Sequence, residues 1–101
     1  MILSSMEFRI APDHPCLPGH FPGRPLVPGV VLLEHVIEAA QAAGAPAQAC
    51  WRWPQVKFLA PLAPGERARI ELQPLPEVVA GWRFRILRGT QLLASGELRA
   101  A

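Results

Sequence analysis

The sequence predicts an α+β fold in which an antiparallel sheet of four or five strands curls around one helix. The helix is predicted over residues 29–43, where apolar side chains point in all directions. The second half of the chain consists of short segments in which apolar and polar residues alternate, as strands do. Since a helix that is apolar on nearly every side must be enclosed, we expect the sheet to curl around it.

Length and composition predict one domain over residues 1–101. Half of the residues are hydrophobic and 18% are charged, which is typical of a globular chain. A chain this small has difficulty covering so much apolar surface alone. We therefore expect a homodimer or a higher even oligomer.

The charge and the apolar segments exclude several classes of protein. A formal charge of +2 is too small to indicate a nucleic-acid binder, although it suits an acidic protein partner. No apolar run reaches the ~18 residues of a membrane helix, so we expect no membrane insertion. The start of the chain lacks the features of a signal peptide, and Cys16 and Cys50 lack metal-like spacing. We expect a cytoplasmic protein with reduced thiols.

The individual strands follow from alternation and from turn residues. Residues 6–10 are a short strand, and residues 11–28, with six prolines and two glycines, are an irregular loop. Gly44 and Pro46 end the helix. ARIEL places Ala68, Ile70 and Leu72 on one face, and GWRFRIL alternates in the same way before a tight turn at Arg88-Gly89. CWRWPQVKFLA is strand-like but is predicted to be broken by Pro54.

The start of the helix has unusual chemistry. Pro28 suits a helix start, but neither it nor Val27 supplies a capping oxygen. The N–H groups of Gly29, Val30 and Val31 should then be free donors at the positive end of the helix dipole. An apolar pocket at this end would bind and polarise a carbonyl oxygen. The alternative is that water or another carbonyl accepts these donors.

His20 and Glu34 are a candidate base and acid beside that carbonyl, which would suit proton abstraction and elimination. The proline-rich arm between His20 and Pro28 could extend about 25 Å at ~3 Å per residue. His20 could therefore meet Glu34 of a second copy. The alternative is an ordinary loop histidine and a solvated glutamate at the helix edge.

The segment His20-Phe21-Pro22-Gly23-Arg24-Pro25-Leu26-Val27-Pro28-Gly29-Val30, followed by Glu34, resembles the signature of a known family. This family is the 3-hydroxyacyl-acyl carrier protein dehydratases, the FabZ/FabA-type hot-dog enzymes. Val56-Lys57-Phe58 and Pro61–Glu66 resemble the "KF…PV.PGD" strand and turn of these enzymes. The resemblance covers roughly residues 6–99. The run HPCLPGHFPGRP is similar to small dehydratases of aryl-polyene or pigment-type pathways.

The resemblance implies a hot-dog fold and a role for each motif residue. His20 would remove the C2 proton of a (3R)-hydroxyacyl thioester, the Gly29 N–H would bind its carbonyl, and Glu34 of the partner subunit would assist loss of water. Phe21, Pro28 and Val30 would contact the substrate. The thioester would be carried on acyl carrier protein or coenzyme A. No metal or organic cofactor is implied, and sister hot-dog or ketosynthase-pathway proteins are possible partners.

The sequence departs from the family pattern in two places. Glu38 stands where the family often has glutamine, so it is a candidate modulator of Glu34. The chain is also shorter at its N-terminus, which would open the acyl tunnel or change the choice of chain length. Two alternatives stay open: a hot-dog thioesterase that activates water with Glu34 or Glu38, and a non-catalytic subunit that binds acyl carriers.

Other side chains have weaker functional assignments. Arg83 and Arg85 share a strand face and, with Arg24 and Arg52, are candidates for an acidic carrier-protein patch; the alternative is a solvated face. We interpret His35 as a packed or edge histidine. The tryptophans are expected in the core or a dimer interface.

Overall fold

The computed structural model describes residues 4–10, 27–45, 50–76 and 80–100. Within these ranges the chain forms five strands and one helix. Their bounds are β1 Ser4–Arg9, α1 Gly29–Ala42, β2 Trp51–Phe58, β3 Arg67–Pro74, β4 Gly81–Arg88 and β5 Gln91–Ala100. The predicted α+β class, with one helix and an antiparallel sheet, is confirmed.

The strands form one antiparallel sheet in the order β1-β3-β4-β5-β2. Consecutive strands β3, β4 and β5 are neighbours, whereas β1 and β2 lie at opposite edges. The turn between β4 and β5 contains Gly89, whose φ of 59° lies in the left-handed region. The short connections were predictable from turn residues, but the placement of β1 and β2 at the edges is a long-range property.

The core lies between one sheet face and the helix. The predicted inward positions Ala68, Ile70 and Leu72 are 3%, 0% and 1% exposed. Phe84 and Ile86 on β4 are likewise buried, because alternate strand residues point to the same face. The helix contributes its own apolar side to this cluster through Val31, Leu32, Val36, Ala39 and Ala40.

The sheet curls around the helix as predicted, while one stripe of the helix stays uncovered in the single chain. Val30 is 64% exposed, and Glu34 and Glu38 are exposed on the same stripe. These residues follow one another at intervals of four, so they lie on one side of the helix. One chain therefore leaves an open helix face that carries a large apolar residue and two carboxylates.

The end of the helix follows the prediction. The N–H of Ala45 donates to Ala40 O at 2.9 Å, and Gly44 adopts a φ of 110°. A glycine in this conformation turns the chain away from the helix and lets the last carbonyls find donors. Within the part of the chain that is described, no helix is long and apolar enough to cross a membrane.

Strand β2 is continuous from Trp51 to Phe58, so the predicted break at Pro54 is wrong. The pairing with β5 shifts register between Arg52 and Gln55 and resumes beyond the proline. An edge strand tolerates proline because its outer side has no neighbouring strand that needs the missing N–H. Gly96 on β5 accommodates the shift: a Cβ on this residue would lie 2.1 Å from the Gln55 carbonyl oxygen.

Candidate active site

The start of α1 is shaped by Pro28. This residue precedes the first helical residue with φ −61° and ψ 145°, an extended conformation that proline adopts readily. Among the described residues no side chain caps the helix, and its first turn contains no acidic residue. The positive end of the helix dipole is therefore not neutralised by the first turn.

Of the three predicted free donors, two have no acceptor within residues 4–10, 27–45, 50–76 and 80–100. Val31 N–H donates to Pro28 O at 3.0 Å, so the expectation that Val31 is unpaired is wrong. Its bond spans three residues, as is common where the first turn of a helix tightens. Among the described residues, no acceptor lies on the N–H of Gly29 or of Val30. A carbonyl oxygen of a ligand could accept from these groups.

An apolar pocket of about 410 Å³ opens beside this helix end. Its floor comes from the helix start and its wall from the end of β2 and the residues that follow. The lining residues are Val27, Gly29, Leu32, Phe58, Leu59, Ala60, Pro61 and Leu62. All of these described side chains are apolar, so the site favours a hydrophobic ligand whose polar group is met by backbone N–H groups.

Phe58 lies directly against the backbone of Gly29. A Cβ placed on Gly29 would stand 2.7 Å from Cζ of the Phe58 ring, closer than real side chains approach. Glycine is thus the residue that lets this ring contact the helix start. Phe58 is 53% exposed and Leu59 is 57% exposed, so both large apolar side chains border the open mouth of the pocket.

Glu34 does not line this pocket. It is exposed on the open helix face, five residues after Gly29 and therefore about 140° around the helix axis. Pro28 and Val30, both predicted to bind substrate, are also absent from the pocket lining. A single chain thus separates the carboxylate from the pocket beside Gly29. The predicted site residues His20, Phe21 and Arg24 lie outside the described residues.

Glu38 pairs with His35 on the helix surface. Glu38 Oε2 lies 3.5 Å from His35 Nδ1, and the glutamate side chain is 63% exposed. The His35 ring stacks on Phe8 of β1 with ring centroids 4.6 Å apart. The interpretation of His35 as a packed histidine is confirmed, and Glu38 has a partner of its own on the helix.

The described candidates for carrier binding lie on two strands: Arg83 and Arg85 on the central strand β4, and Arg52 on the edge strand β2. Arg83 Nη2 is 3.6 Å from Glu97 Oε1, and Arg85 Nη1 is 3.6 Å from Glu71 Oε1. Both arginine side chains are about half exposed, and Arg52 on β2 is exposed as well. The glutamates partly neutralise this face, while the guanidinium groups remain accessible to solvent.

Sequence reasoning missed the wall of the pocket, residues Phe58–Leu62. One signal was available: two large apolar residues, Phe58 and Leu59, stand at the end of a strand-like segment and immediately precede Ala60-Pro61, where the chain must turn. Their proximity to the helix start is a tertiary contact and has no local signature. Among the described residues, no group of three or more His, Cys, Asp or Glu side chains could hold a metal ion.

Comparison with known proteins identifies the family of this chain. The model of the ApeI-like family, described as ApeI dehydratase, matches residues 4–97. A 3-hydroxyacyl-[acyl-carrier-protein] dehydratase FabZ of Haemophilus influenzae (strain PittEE) is 29% identical over 76 residues, which cover 67% of this chain. The match covers 51% of that enzyme, so the chain spans about half the length of the curated relative.

Solved structures show the same architecture. A chain in the dehydratase heterocomplex ApeI:P from Xenorhabdus doucetiae is 26% identical, with a TM-score of 0.75 over 94% of this chain and 83% of that chain. A variant of the fluoroacetyl-CoA-specific thioesterase FlK has a TM-score of 0.70 at 18% identity, over 95% of this chain and 85% of that one, and shares the fold alone. The curled antiparallel sheet with its single helix is the hot-dog fold, and with the family match over residues 4–97 the chain belongs to the ApeI-like dehydratases.

Proposed function

We propose that this chain dehydrates (3R)-hydroxyacyl thioesters to trans-2-enoyl thioesters as part of a dimer. The observation that carries the proposal is the apolar pocket beside the N–H groups of Gly29 and Val30, which have no acceptor among the described residues. It offers a hydrophobic channel for an acyl chain and hydrogen-bond donors for the thioester carbonyl at the same place. Stabilising the negative charge that develops on this oxygen is the main demand of C2 deprotonation.

The reaction requires a base and an acid in addition to these donors. His20 takes the proton from C2, and the electron pair moves toward the carbonyl oxygen that the Gly29 N–H binds. Glu34 then gives a proton to the 3-hydroxyl group, the C3–O bond breaks and water leaves as the C2–C3 double bond forms. A final proton transfer from His20 to Glu34 restores both groups, so the reaction needs no external oxidant or reductant.

A second copy of the chain is needed to bring Glu34 to the pocket. Within one chain Glu34 faces away from Gly29, on an open helix face. Among the described residues, the exposed large apolar side chains are Val30, Phe58 and Leu59, all next to the helix start or the pocket mouth. Exposed apolar groups that cluster in this way favour a protein interface. We propose that a second subunit covers them and supplies its own Glu34.

The assembly could also pair this chain with a different hot-dog subunit. The similar structure from Xenorhabdus doucetiae is a heterocomplex, and the present chain shares the fold of the matched subunit. Size-exclusion chromatography with light scattering on the purified chain distinguishes the two assemblies. A stable dimer supports the homodimer, whereas a monomer that gains activity only with a sister hot-dog protein supports the heteromer.

Acyl carrier protein is the proposed carrier, and the arginine-rich outer face of the sheet is its proposed docking surface. Arg83 and Arg85 are exposed there on β4, and Arg52 lies on the edge strand β2, with β5 between the two strands. An acidic partner is attracted by such a surface mainly through faster association. Arg85→Glu should lower kcat/KM for the carrier-bound substrate while leaving turnover of the coenzyme A thioester unchanged. Equal losses on both carriers would argue against docking at this face.

The activity is tested by incubating the protein with (3R)-hydroxyacyl thioesters of several chain lengths on both carriers. Mass spectrometry should show a product lighter by one water, and a thiol reagent should detect no released thiol. Release of thiol without dehydration would instead indicate a thioesterase. His20→Ala should abolish the dehydration without unfolding the protein, and unchanged turnover in that variant would refute the assignment.

A further inference from the structure

The residues between β2 and β3 do more than form a wall of the pocket. This segment, residues 59–66, is called the connecting loop below. Gly65 N–H donates to Ile10 O at 2.8 Å, and Leu62 O accepts from Val27 N–H at 2.9 Å. Ile10 and Val27 are the described residues that flank segment 11–26, so the connecting loop holds the chain on both sides of it.

Val27 also leads directly into the helix start. It is 7% exposed, and one residue, Pro28, separates it from Gly29. Leu62, its hydrogen-bond partner, is fully buried. A shift of the connecting loop would therefore be transmitted through a rigid proline to the N–H groups of Gly29 and Val30 in the candidate active site.

One arginine fastens the connecting loop to the β4–β5 hairpin. Arg88 Nη1 donates to Glu66 Oε1 at 2.8 Å and to Pro61 O at 3.2 Å, and Arg88 Nη2 donates to Gln91 Oε1. The same Glu66 oxygen accepts from Ala63 N–H at 2.8 Å. The guanidinium group thus joins two points of the loop, Pro61 and Glu66, to a turn that lies outside the pocket lining, and Glu66 in turn binds a third point, Ala63.

We propose that Arg88, acting through Glu66, is a positioning residue for the active site. It fixes the connecting loop. The loop in turn sets the positions of Val27, of the Gly29 amide and of Ile10, the last described residue before segment 11–26. This inference rests on the proposed dehydratase function for its effect on turnover. The physical reason for the positioning is that the charged, forked guanidinium group bonds several acceptors at once. It therefore holds the loop more rigidly than a single hydrogen bond would.

The exposure of the Arg88–Glu66 pair distinguishes a positioning role from a contribution to the stability of the whole fold. Arg88 and Glu66 are 31% and 38% exposed, and such exposed pairs contribute little to global stability. The rate of a reaction is more sensitive, because a misplacement of about 1 Å can lower it by about 100-fold. Removing Arg88 should therefore lower turnover much more than it lowers the melting temperature.

Arg69 provides a matched control. It is 37% exposed, it also pairs with a glutamate, Glu71, at 3.3 Å, and it lies on β3 away from the connecting loop. We expect Arg88→Ala to lower kcat at least about tenfold with a smaller change in KM, and Arg69→Ala to leave both unchanged. Arg88→Lys, which keeps the charge but loses the fork, should fall between the wild type and Arg88→Ala.

Hydrogen exchange of single amides tests the positioning without any substrate. Arg88→Ala should reduce the protection of the Val27 and Gly65 amides, while amides in the centre of β4 keep theirs. If Arg88→Ala does not fold, Glu66→Gln, which removes only the charge of the partner, should give the same pattern more weakly. Unchanged protection at Val27 and Gly65, or an equal loss of turnover in Arg69→Ala, would overturn the proposal.

The two experiments separate this inference from the proposed function. Loss of amide protection together with loss of kcat supports both. Loss of protection in a protein whose wild type shows no dehydration on any substrate supports the positioning by Arg88 and refutes the dehydratase assignment. Dehydration by the wild type that persists at full rate in Arg88→Ala refutes the positioning alone.

Discussion

The ring of Phe58 rests on the backbone of Gly29, so that a Cβ on this glycine would come within 2.7 Å of Phe58 Cζ. The contact brings the end of the edge strand β2 to the first residue of the helix. It therefore places the hydrogen-bond donor of the candidate active site next to its apolar wall, although the two are far apart in sequence.

Gly29→Ala should lower turnover by at least about tenfold, because the methyl group occupies space that the substrate carbonyl needs. The free energy of unfolding should change by less than about 1 kcal/mol, since alanine favours the helix and the half-exposed Phe58 ring can move aside. Enzyme kinetics and urea unfolding measure the two effects. The double variant Gly29→Ala/Phe58→Ala should be no more active than Gly29→Ala. Higher activity in the double variant would mean that displacement of the Phe58 ring alone caused the loss.

Mixing two inactive variants tests whether the site is shared between subunits. His20→Ala retains Glu34, and Glu34→Gln retains His20, so a mixed dimer contains one intact pair. Random exchange in a symmetric dimer should restore about a quarter of the wild-type activity per chain. The measurement is turnover after the two variants are unfolded and refolded together. Absence of recovery, with mixed dimers verified by mass, would place His20 and Glu34 in the same chain or outside the chemistry.

Glu38→Gln should leave turnover within about twofold of the wild type, whereas Glu34→Gln should lower it at least about 100-fold. The two glutamates lie one turn apart on the same open stripe, which makes them a matched pair. Glu38 has a different partner, the His35 ring at 3.5 Å, so its removal should cost no more than about 0.5 kcal/mol of stability. Equal losses of activity in both variants would make Glu38 part of the reaction.

Gly96→Ala should destabilise the fold by about 1–3 kcal/mol, as overpacking of a buried site does. The new Cβ would stand 2.1 Å from the backbone oxygen of Gln55, which cannot move without disturbing the pairing of β2 with β5. Ser95→Ala, at the adjacent half-buried position, should change stability by less than about 0.5 kcal/mol. Urea midpoints of the two variants give the comparison, and equal midpoints would contradict the close contact at Gly96.

The stabilising effect of Glu66 should disappear in acid. The Ala63 N–H and the Arg88 guanidinium hold the pKa of the Glu66 carboxyl below its usual value of 4.5. A carboxyl whose pKa is lower in the folded than in the unfolded state stabilises the fold above the unfolded value, and this effect is lost as pH falls through the folded value.

The difference in unfolding free energy between wild type and Glu66→Gln should thus be constant from about pH 7 to pH 5 and shrink below the ordinary carboxyl pKa. Urea unfolding across this range provides the measurement. Because Glu66 is 38% exposed, added salt should also reduce the difference. A difference that persists at about pH 2 would mean that the loss in Glu66→Gln is unrelated to its charge.

Local sequence predicted the helix and the alternating strands well. Gly29 as the first helical residue, Gly44 as the stop, and the inward positions of β3 and β4 all followed from spacing and turn residues. Two local predictions were wrong, the break at Pro54 and the free N–H of Val31. The first was wrong because the position of β2 at the sheet edge relaxes the usual constraint on proline.

The candidate site was less accessible to sequence reasoning. The motif around Gly29 predicted the donor, and the absence of a capping side chain predicted that it would be unpaired. The pocket wall at Phe58 and the hydrogen bond between Val27 and Leu62 depend on how distant segments pack. The helix is almost uniformly apolar, so its composition does not decide which side meets the sheet. The position of Glu34 on the open face therefore could not be predicted.

The connections of the connecting loop to Ile10 and Val27 are made by backbone groups alone. The side chains of Ile10 and Val27 are themselves buried in the core, so only apolar residues of similar size should replace them while the hydrogen bonds persist. The residues on either side of segment 11–26 are thus bonded to the connecting loop, so a replacement segment would have to start and end at the same two positions. Grafting the corresponding segment of a dehydratase with another chain-length preference is thus a route to altered substrate choice that leaves the helix start in place.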